Sequence, residues 1–221
     1  MSILSRIYEK LRFLIARKGE KGEYSSGYLP SKVRDEFLSI CKRKSGRILE
    51  IGCGEGLFII NLLKKAKGLK IFGVDILREG LLNAKEKLKA QDAKAVNLIE
   101  SNGNELCFKD NTFDYVVCLN TLFNLPSFEN VKGIIAESVR VAKKGAEIIV
   151  DIRNKNDLVT SLRYRFVKLY DSKCAVALRQ YDPQEIIEIF EQNNAEVLEV
   201  LPIRAFFNLT VPITIIKAKK R

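Results

Sequence analysis

Hydrophobic and polar positions along the chain fall into two alternating periods. Residues 3 to 18 set Ile3, Leu4, Ile7, Leu11, Leu14 and Ile15 on one helical face, with Arg6, Lys10, Arg12, Arg17 and Lys18 mostly on the other, which predicts a basic amphipathic helix. A glycine- and serine-rich stretch, residues 19 to 30, predicts a mobile connection to a helix marked by Val33, Phe37 and Ile40. From Arg47 short apolar runs and helical periods take turns. Strands are predicted at Arg47–Ile51, Lys70–Asp75, Ala95–Glu100, Phe113–Leu119 and Glu147–Ile152, and the near-continuous apolar character of the fourth suits burial on both faces. Between them lie a helix of Leu57, Ile59, Ile60, Leu62 and Leu63, a helix from Arg78 to Lys89, and one that turns Val131, Ile134, Ile135 and Val139 inward. Lys143, Lys144 and Gly145 suit the C-terminus of the last of these.

Residues 153 to 181 interrupt the rhythm. Leu158, Leu162, Phe166, Leu169 and Tyr170 predict an inserted helix beyond the carboxyl end of the fifth strand, the side on which open α/β sheets bind ligands. Alternation returns at Asp182-Pro183-Gln184-Glu185, a cap, a first-turn proline and a reaching glutamate that open a helix of Ile186, Ile187, Ile189 and Phe190. Ala195–Leu201 and Leu209–Ala218 supply two last strands. The whole reads as a doubly wound α/β protein.

Composition sharpens this in three ways. At 221 residues and 47% hydrophobic content the chain predicts a single domain, residues 1 to 221, with 1 to 30 as an N-terminal helix and lid and 153 to 181 as a substrate cover. No apolar run reaches the roughly 20 residues needed to span a bilayer, and the charges within residues 3 to 18 rule out a signal-peptide pattern, so a cytoplasmic location is expected. Cysteines 41, 53, 107, 118 and 174 are scattered and read as reduced core residues. The net charge of +11 invites RNA or an anionic membrane as partner, the latter through residues 3 to 18, although basic helix faces and a basic tail without a polyanionic partner are the favoured explanation. Histidine is absent, which removes the commonest general base and a histidine-ligated metal; no metal is expected. Oligomeric state has no signature here.

The candidate chemistry begins where the first strand breaks into Gly52-Cys53-Gly54-Glu55-Gly56. Three alternate glycines predict a tight turn into a helix, with backbone amides facing a nucleotide-like ligand. A dinucleotide fingerprint would need its third glycine where Leu57 stands. Asp75 ends the second strand about 20 residues on, where a carboxylate accepts from ribose hydroxyls; the glycines upstream favour that role over its alternative, a cap on the following helix. Glu50 followed by Gly-x-Gly-x-Gly resembles the first motif of the class I S-adenosylmethionine-dependent methyltransferases, of the methyltransferase-11-like kind. The resemblance continues from Ser101 to Asp114, where Asn102 replaces the usual aspartate and Cys107 a proline; Lys144-Gly145-Ala146 stands for Pro-Gly-Gly and Asn124 for a frequent histidine.

That resemblance implies a mostly parallel seven-stranded Rossmann-like sheet with an antiparallel last strand. It implies S-adenosylmethionine as cofactor and S-adenosylhomocysteine as product, bound by Glu50, Gly52, Cys53, Gly54, Gly56, Asp75, Ile76, Asn102, Gly103 and Leu119, with Asn102 and Gly103 meeting adenine. No protein nucleophile is then required, since methyl transfer is governed by positioning and desolvation, and no catalytic residue is named. A small-molecule acceptor is the leading expectation; RNA methylation and a non-catalytic binding module are the alternatives. Tyr24, Tyr28, Tyr164, Tyr170, Arg179 and Tyr181 are the candidates to orient an acceptor in a site without histidine.

Overall fold

The computed structural model describes residues 6, 7, 10, 27–40, 45–66, 68–89, 91, 96–170, 178–205 and 208–221. Its strands are β1 (Ser45–Ile51), β2 (Gly68–Asp75), β3 (Val96–Glu100), β4 (Phe113–Cys118), β5 (Ala142–Arg153), β6 (Ala195–Ala205) and β7 (Thr210–Lys220). Its helices are α1 (Tyr28–Ile40), α2 (Leu57–Lys65), α3 (Arg78–Lys89), α4 (Phe128–Val141), α5 (Leu158–Arg165), α6 (Val167–Tyr170) and α7 (Pro183–Gln192), with a 3-10 turn at Leu122–Asn124.

The strands form one seven-stranded sheet in the order β3-β2-β1-β4-β5-β7-β6. β1 pairs in parallel with β2 and β4, β2 with β3, and β4 with β5, whereas β7 runs antiparallel between β5 and β6. This is the mostly parallel sheet that the alternation and the resemblance implied. The strand order reverses between β1 and β4, which opens a crevice at the carboxyl ends of these two strands.

Successive strand residues point to opposite faces, and the two apolar cores follow that period. Leu49, Val116, Ile148 and Val150 pack under Ile134 and Ile135 of α4 and Ile186 and Phe190 of α7. Their neighbours Ile48, Val117 and Ile149 pack on the other face under Phe37 of α1, Phe58 and Ile59 of α2, and Leu81 and Leu88 of α3. Both faces of the central strands are thus covered, which is why their sequences are apolar without alternation.

Two expectations change. α4 ends at Val141 and β5 starts at Ala142, so Lys143, Lys144 and Gly145 belong to the strand instead of closing the helix. The pairing of β4 with β5 is irregular between Phe113 and Tyr115, Gly145 has a φ of 76°, and Lys143 Nζ reaches Asp114 Oδ1 at 2.9 Å; a positive-φ glycine serves an irregular strand as well as a helix end. The single inserted helix is two, α5 and α6, separated at Phe166. Asp182 and Glu185 do form the reciprocal cap of α7. The predicted helix over residues 3 to 18 lies outside the described residues except for Arg6, Ile7 and Lys10, which are helical and exposed. Among the described residues no helix is long and apolar enough to cross a membrane.

Candidate functional site

Each of the three turn glycines is left-handed, with φ of 76° at Gly52, 48° at Gly54 and 75° at Gly56, and each is bare for a different reason. A Cβ on Gly52 would stand 2.2 Å from Thr121 Oγ1, and one on Gly56 would stand 3.1 Å from Ala84 Cβ in α3. On Gly54 the nearest atom would be Asp75 Oδ2 at 4.0 Å, so this is the glycine with open space above it. α3 closes on the turn from the side through Gly80, where a Cβ would meet Gly54 backbone carbon at 3.2 Å.

The expectation that the turn amides face a ligand is corrected. Gly52 N and Cys53 N both donate to Val74 O, at 2.8 and 3.0 Å, Gly56 N donates to Cys53 O at 2.9 Å, and Gly54 N donates to Asp75 Oδ2 at 2.7 Å. The left-handed residues fold the loop back onto the end of β2, whose carbonyl and carboxylate need donors. Asp75 is also the helix-entry residue that was its alternative reading, since Oδ1 accepts from Leu77 N at 2.8 Å just before α3. One carboxylate braces both the glycine turn and the turn that leads into α3.

Glu50 sits one turn deeper, 4% exposed, with Oε2 buried and without a hydrogen-bond partner. Burial pushes its pKa well above the ordinary carboxylate range, the nearby Arg34 guanidinium pulls it down, and Asp75 raises it further. Arg34, 3% exposed, comes from α1 and donates to Ser31 Oγ at 3.3 Å. This buried polar pair was missed in the sequence, although Ser31 and Arg34 at i and i+3 share a helical side beside Val33 and Phe37. A buried carboxyl group that can ionise and a buried guanidinium close enough to act on it suit a zwitterionic group.

Ile76 follows Asp75 and is 65% exposed, an apolar surface available to a planar ring. Asn102 Oδ1 accepts from Asn104 N at 3.0 Å and from Asn104 Nδ2 at 3.4 Å, so both of its lone pairs are engaged in a local turn, the second by a long bond. Gly103 is bare because a Cβ would stand 2.9 Å from Ile51 Cγ2. The loop carrying both is held by α4: Arg140 donates to both carboxylate oxygens of Glu137 and to Leu106 O, Phe108 O and Asp110 Oδ1, while Glu137 Oε2 accepts from Leu106 N. The Arg140 hydrogen bonds lower the Glu137 pKa. Nothing local in the sequence announces this clamp, whose members lie 30 or more residues apart.

Beyond β4, Leu119 is buried, and Asn120 N donates to Asp151 Oδ1 at 2.6 Å. Arg153 Nη1 donates to Asp151 Oδ2 at 2.6 Å, Nη2 to Asn120 Oδ1 at 2.9 Å, and its guanidinium lies 4.0 Å from the centre of the Phe123 ring. Burial raises the Asp151 pKa, and Arg153 opposes the shift. The acceptor-side candidates scatter. Arg179 is spent on Leu125 O and Pro126 O, and Tyr181 is buried, stacked on Phe128, with its hydroxyl donating to Leu122 O at 3.0 Å. Both hold the loop after β4 from behind. Tyr28 is exposed on the first turn of α1, Tyr164 is half-buried in α5, and Tyr24 and the Tyr170 side chain lie outside the described residues. Cys53 and Cys118 are buried with pKa values raised chiefly by burial, whereas Cys107 is exposed, contrary to its reading as core; Cys41 and Cys174 lie outside the described residues. No cluster of metal ligands occurs among the described residues.

Residues 48–145 match the family model of a methyltransferase domain. The demethylmenaquinone methyltransferase of Bacillus mycoides is 35% identical over 118 residues, 52% of this chain and 48% of that protein. The phosphatidylethanolamine N-methyltransferase of Cereibacter sphaeroides is 30% identical over 129 residues, 58% and 61% of the two chains. The chain thus spans about half of the first of these relatives and somewhat more of the second. Among solved structures, magnesium protoporphyrin IX methyltransferase from Synechocystis with bound S-adenosylhomocysteine has a TM-score of 0.66 at 18% identity, covering 87% of this chain and 82% of its own. The matched segment is thus similar to a methyltransferase domain, and the sheet has the fold of the solved methyltransferase.

Proposed function

We propose that this protein is an S-adenosylmethionine-dependent methyltransferase acting on a small-molecule acceptor with an apolar body. The observation that carries the reading is the orphaned Glu50 Oε2, buried at the end of β1 just before the glycine turn, with the buried Arg34 guanidinium acting on it electrostatically. The residues present fit the cofactor. Glu50 would take its ammonium group and Arg34 its carboxylate, Asp75 the ribose hydroxyls, Ile76 one face of adenine, and Asn102 and Gly103 the adenine edge, with Leu119 lining the opposite wall. S-adenosylmethionine supplies a methyl group already activated on a sulfonium sulfur. What remains for the chain is to bind, orient and exclude water, which are the effects that govern such an in-line displacement.

The loop from Asn120 to Pro126 is the part built for orientation, because the Asp151–Arg153–Asn120 network and the bonds donated to its carbonyls by the side chains of Arg179 and Tyr181 fix it. It lies beside Gly52 through Thr121, next to the site proposed for the methyl donor. Residues 1 to 30 and 153 to 181 are the parts of a single domain that would close over this loop. The acceptor class follows from the relatives, which are named for demethylmenaquinone and for phosphatidylethanolamine, both lipids.

Methyl-labelled S-adenosylmethionine tests the reading. Incubated with a prenylated hydroquinone, an aminophospholipid and transfer RNA in parallel, the protein should label an organic-extractable acceptor. Label confined to the RNA would replace the acceptor class, and binding of NAD without binding of S-adenosylhomocysteine would remove the cofactor.

A further inference from the structure

We propose that α5 and α6 form an amphipathic element that seats the protein on an anionic lipid surface. The helices are mounted the reverse of a core helix. Leu158, Leu162 and Leu169 are 79%, 59% and 62% exposed, and Val159 and Phe166 are exposed beside them, whereas Thr160 and Val167 are buried. Leu158 and Leu162 are spaced as one face of α5, with Phe166 at the break and Leu169 on α6, and Thr160 and Val167 are the positions turned to the protein. A segment that merely failed to pack would not be held. This one is anchored: Asp157 caps α5 through Thr160 N at 2.8 Å and, with its other oxygen, accepts from Val211 N of β7 at 2.7 Å.

Charge selects the occupant. Arg163 and Arg165 are exposed at the C-terminal end of α5, and residues 158 to 170 contain no aspartate or glutamate in a chain of net charge +11. Apolar side chains flanked by arginine, presented outward from a rigid base, are what an interfacial helix needs: leucine and phenylalanine enter the acyl boundary while the guanidinium groups stay among anionic headgroups. The element leaves the carboxyl end of β5, the same side of the sheet as Gly54 and the Asn120 loop. A lipid acceptor would then move from bilayer to site without crossing water. The surface lies outside the proposed cofactor residues, so vesicle binding stands or falls separately from S-adenosylhomocysteine binding.

Co-sedimentation of the full chain with vesicles tests this. The wild type should bind mixed phosphatidylglycerol and phosphatidylcholine vesicles and bind pure phosphatidylcholine at least about tenfold more weakly. Leu162→Ser, Phe166→Ser and Leu169→Ser together should lower binding by tenfold or more while leaving thermal stability and S-adenosylhomocysteine affinity unchanged, since these side chains touch solvent already. Arg163→Ser with Arg165→Ser should flatten the dependence on phosphatidylglycerol. Absence of wild-type binding would overturn the proposal. So would unaltered binding by the triple variant, with loss instead on replacing Ile7, Leu11 and Leu14 by serine, which would move the anchor to the N-terminal segment. A wild-type dimer in ultracentrifugation that the triple variant dissociates would also overturn it, because the face would then belong to a second copy of the chain.

Discussion

Glu50 concentrates the chemistry of the site in one titration. Its pKa is raised by burial, so the folded state binds more protons than the unfolded state between the unfolded value, about 4.3, and the folded one. Its contribution to stability is therefore full below the unfolded value and is lost as pH rises through the folded pKa. Binding a ligand ammonium needs the ionised form. S-adenosylhomocysteine affinity should accordingly increase with pH through the Glu50 pKa, with release of a proton, which calorimetry in buffers of different ionisation enthalpy reads directly. Glu50→Gln should lower affinity by about 10- to 100-fold, the worth of a charge-assisted bond, and abolish the proton release. If the variant keeps both, Glu50 does not meet the cofactor. Asp75→Ala should cost twice: about 1 kcal/mol of stability for the lost helix entry, seen in denaturant unfolding, and about 1.5 to 3 kcal/mol of cofactor affinity for the ribose bonds. A loss of stability with unchanged affinity would leave it a structural residue.

The elements that hold the site do so with buried charge. Arg153→Met would leave the fully buried Asp151 carboxylate without its cation and release Asn120, and about 3 to 5 kcal/mol of stability should go with it. Chemical denaturation measures that loss; a change under 1 kcal/mol would show that the network is not needed to order the loop after β4. Arg140 acts on the other side of the crevice, where one guanidinium of α4 clamps the loop of Asn102 and Gly103. Arg140→Met should lower S-adenosylhomocysteine affinity by about tenfold through that loop and raise its amide exchange from residue 102 to 112, with the amides of β2 unaffected. Uniform exchange changes across the sheet would point to global destabilisation instead.

At the scale of the whole molecule the proposed cofactor site is a junction. α1 supplies Arg34, β1 Glu50, the turn Gly54, β2 Asp75, the loop after β3 Asn102 and Gly103, and the loop after β4 Leu119. A ligand that binds this junction binds only the assembled fold. At about 100 times its dissociation constant it should add about 2.7 kcal/mol, which for a domain of this size raises the melting temperature by about 5 to 10 °C. S-adenosylhomocysteine should produce that shift and NAD should not. Equal shifts would sink the assignment of the turn.

Much of this was legible in the chain alone because it is local. Apolar runs that end in Asp75 or break into Gly52, Gly54 and Gly56 declare strand ends and a turn, and Asp182 to Glu185 declares a helix start, since these depend on residues a few positions apart. The tertiary structure decided what depends on approach across the sheet. Thr121, not a ligand, makes Gly52 necessary; the end of β2, not a ligand, takes the turn amides; the charge of Arg34 acts on Glu50 from a helix that the sequence assigned only to packing; and Arg140 clamps a loop about 30 residues away. Periodicity also identified the apolar face of residues 158 to 170 but could not say which way it points. Direction is set by the anchor of Asp157 on β7, a contact between residues 54 apart, and only the folded chain brings them together.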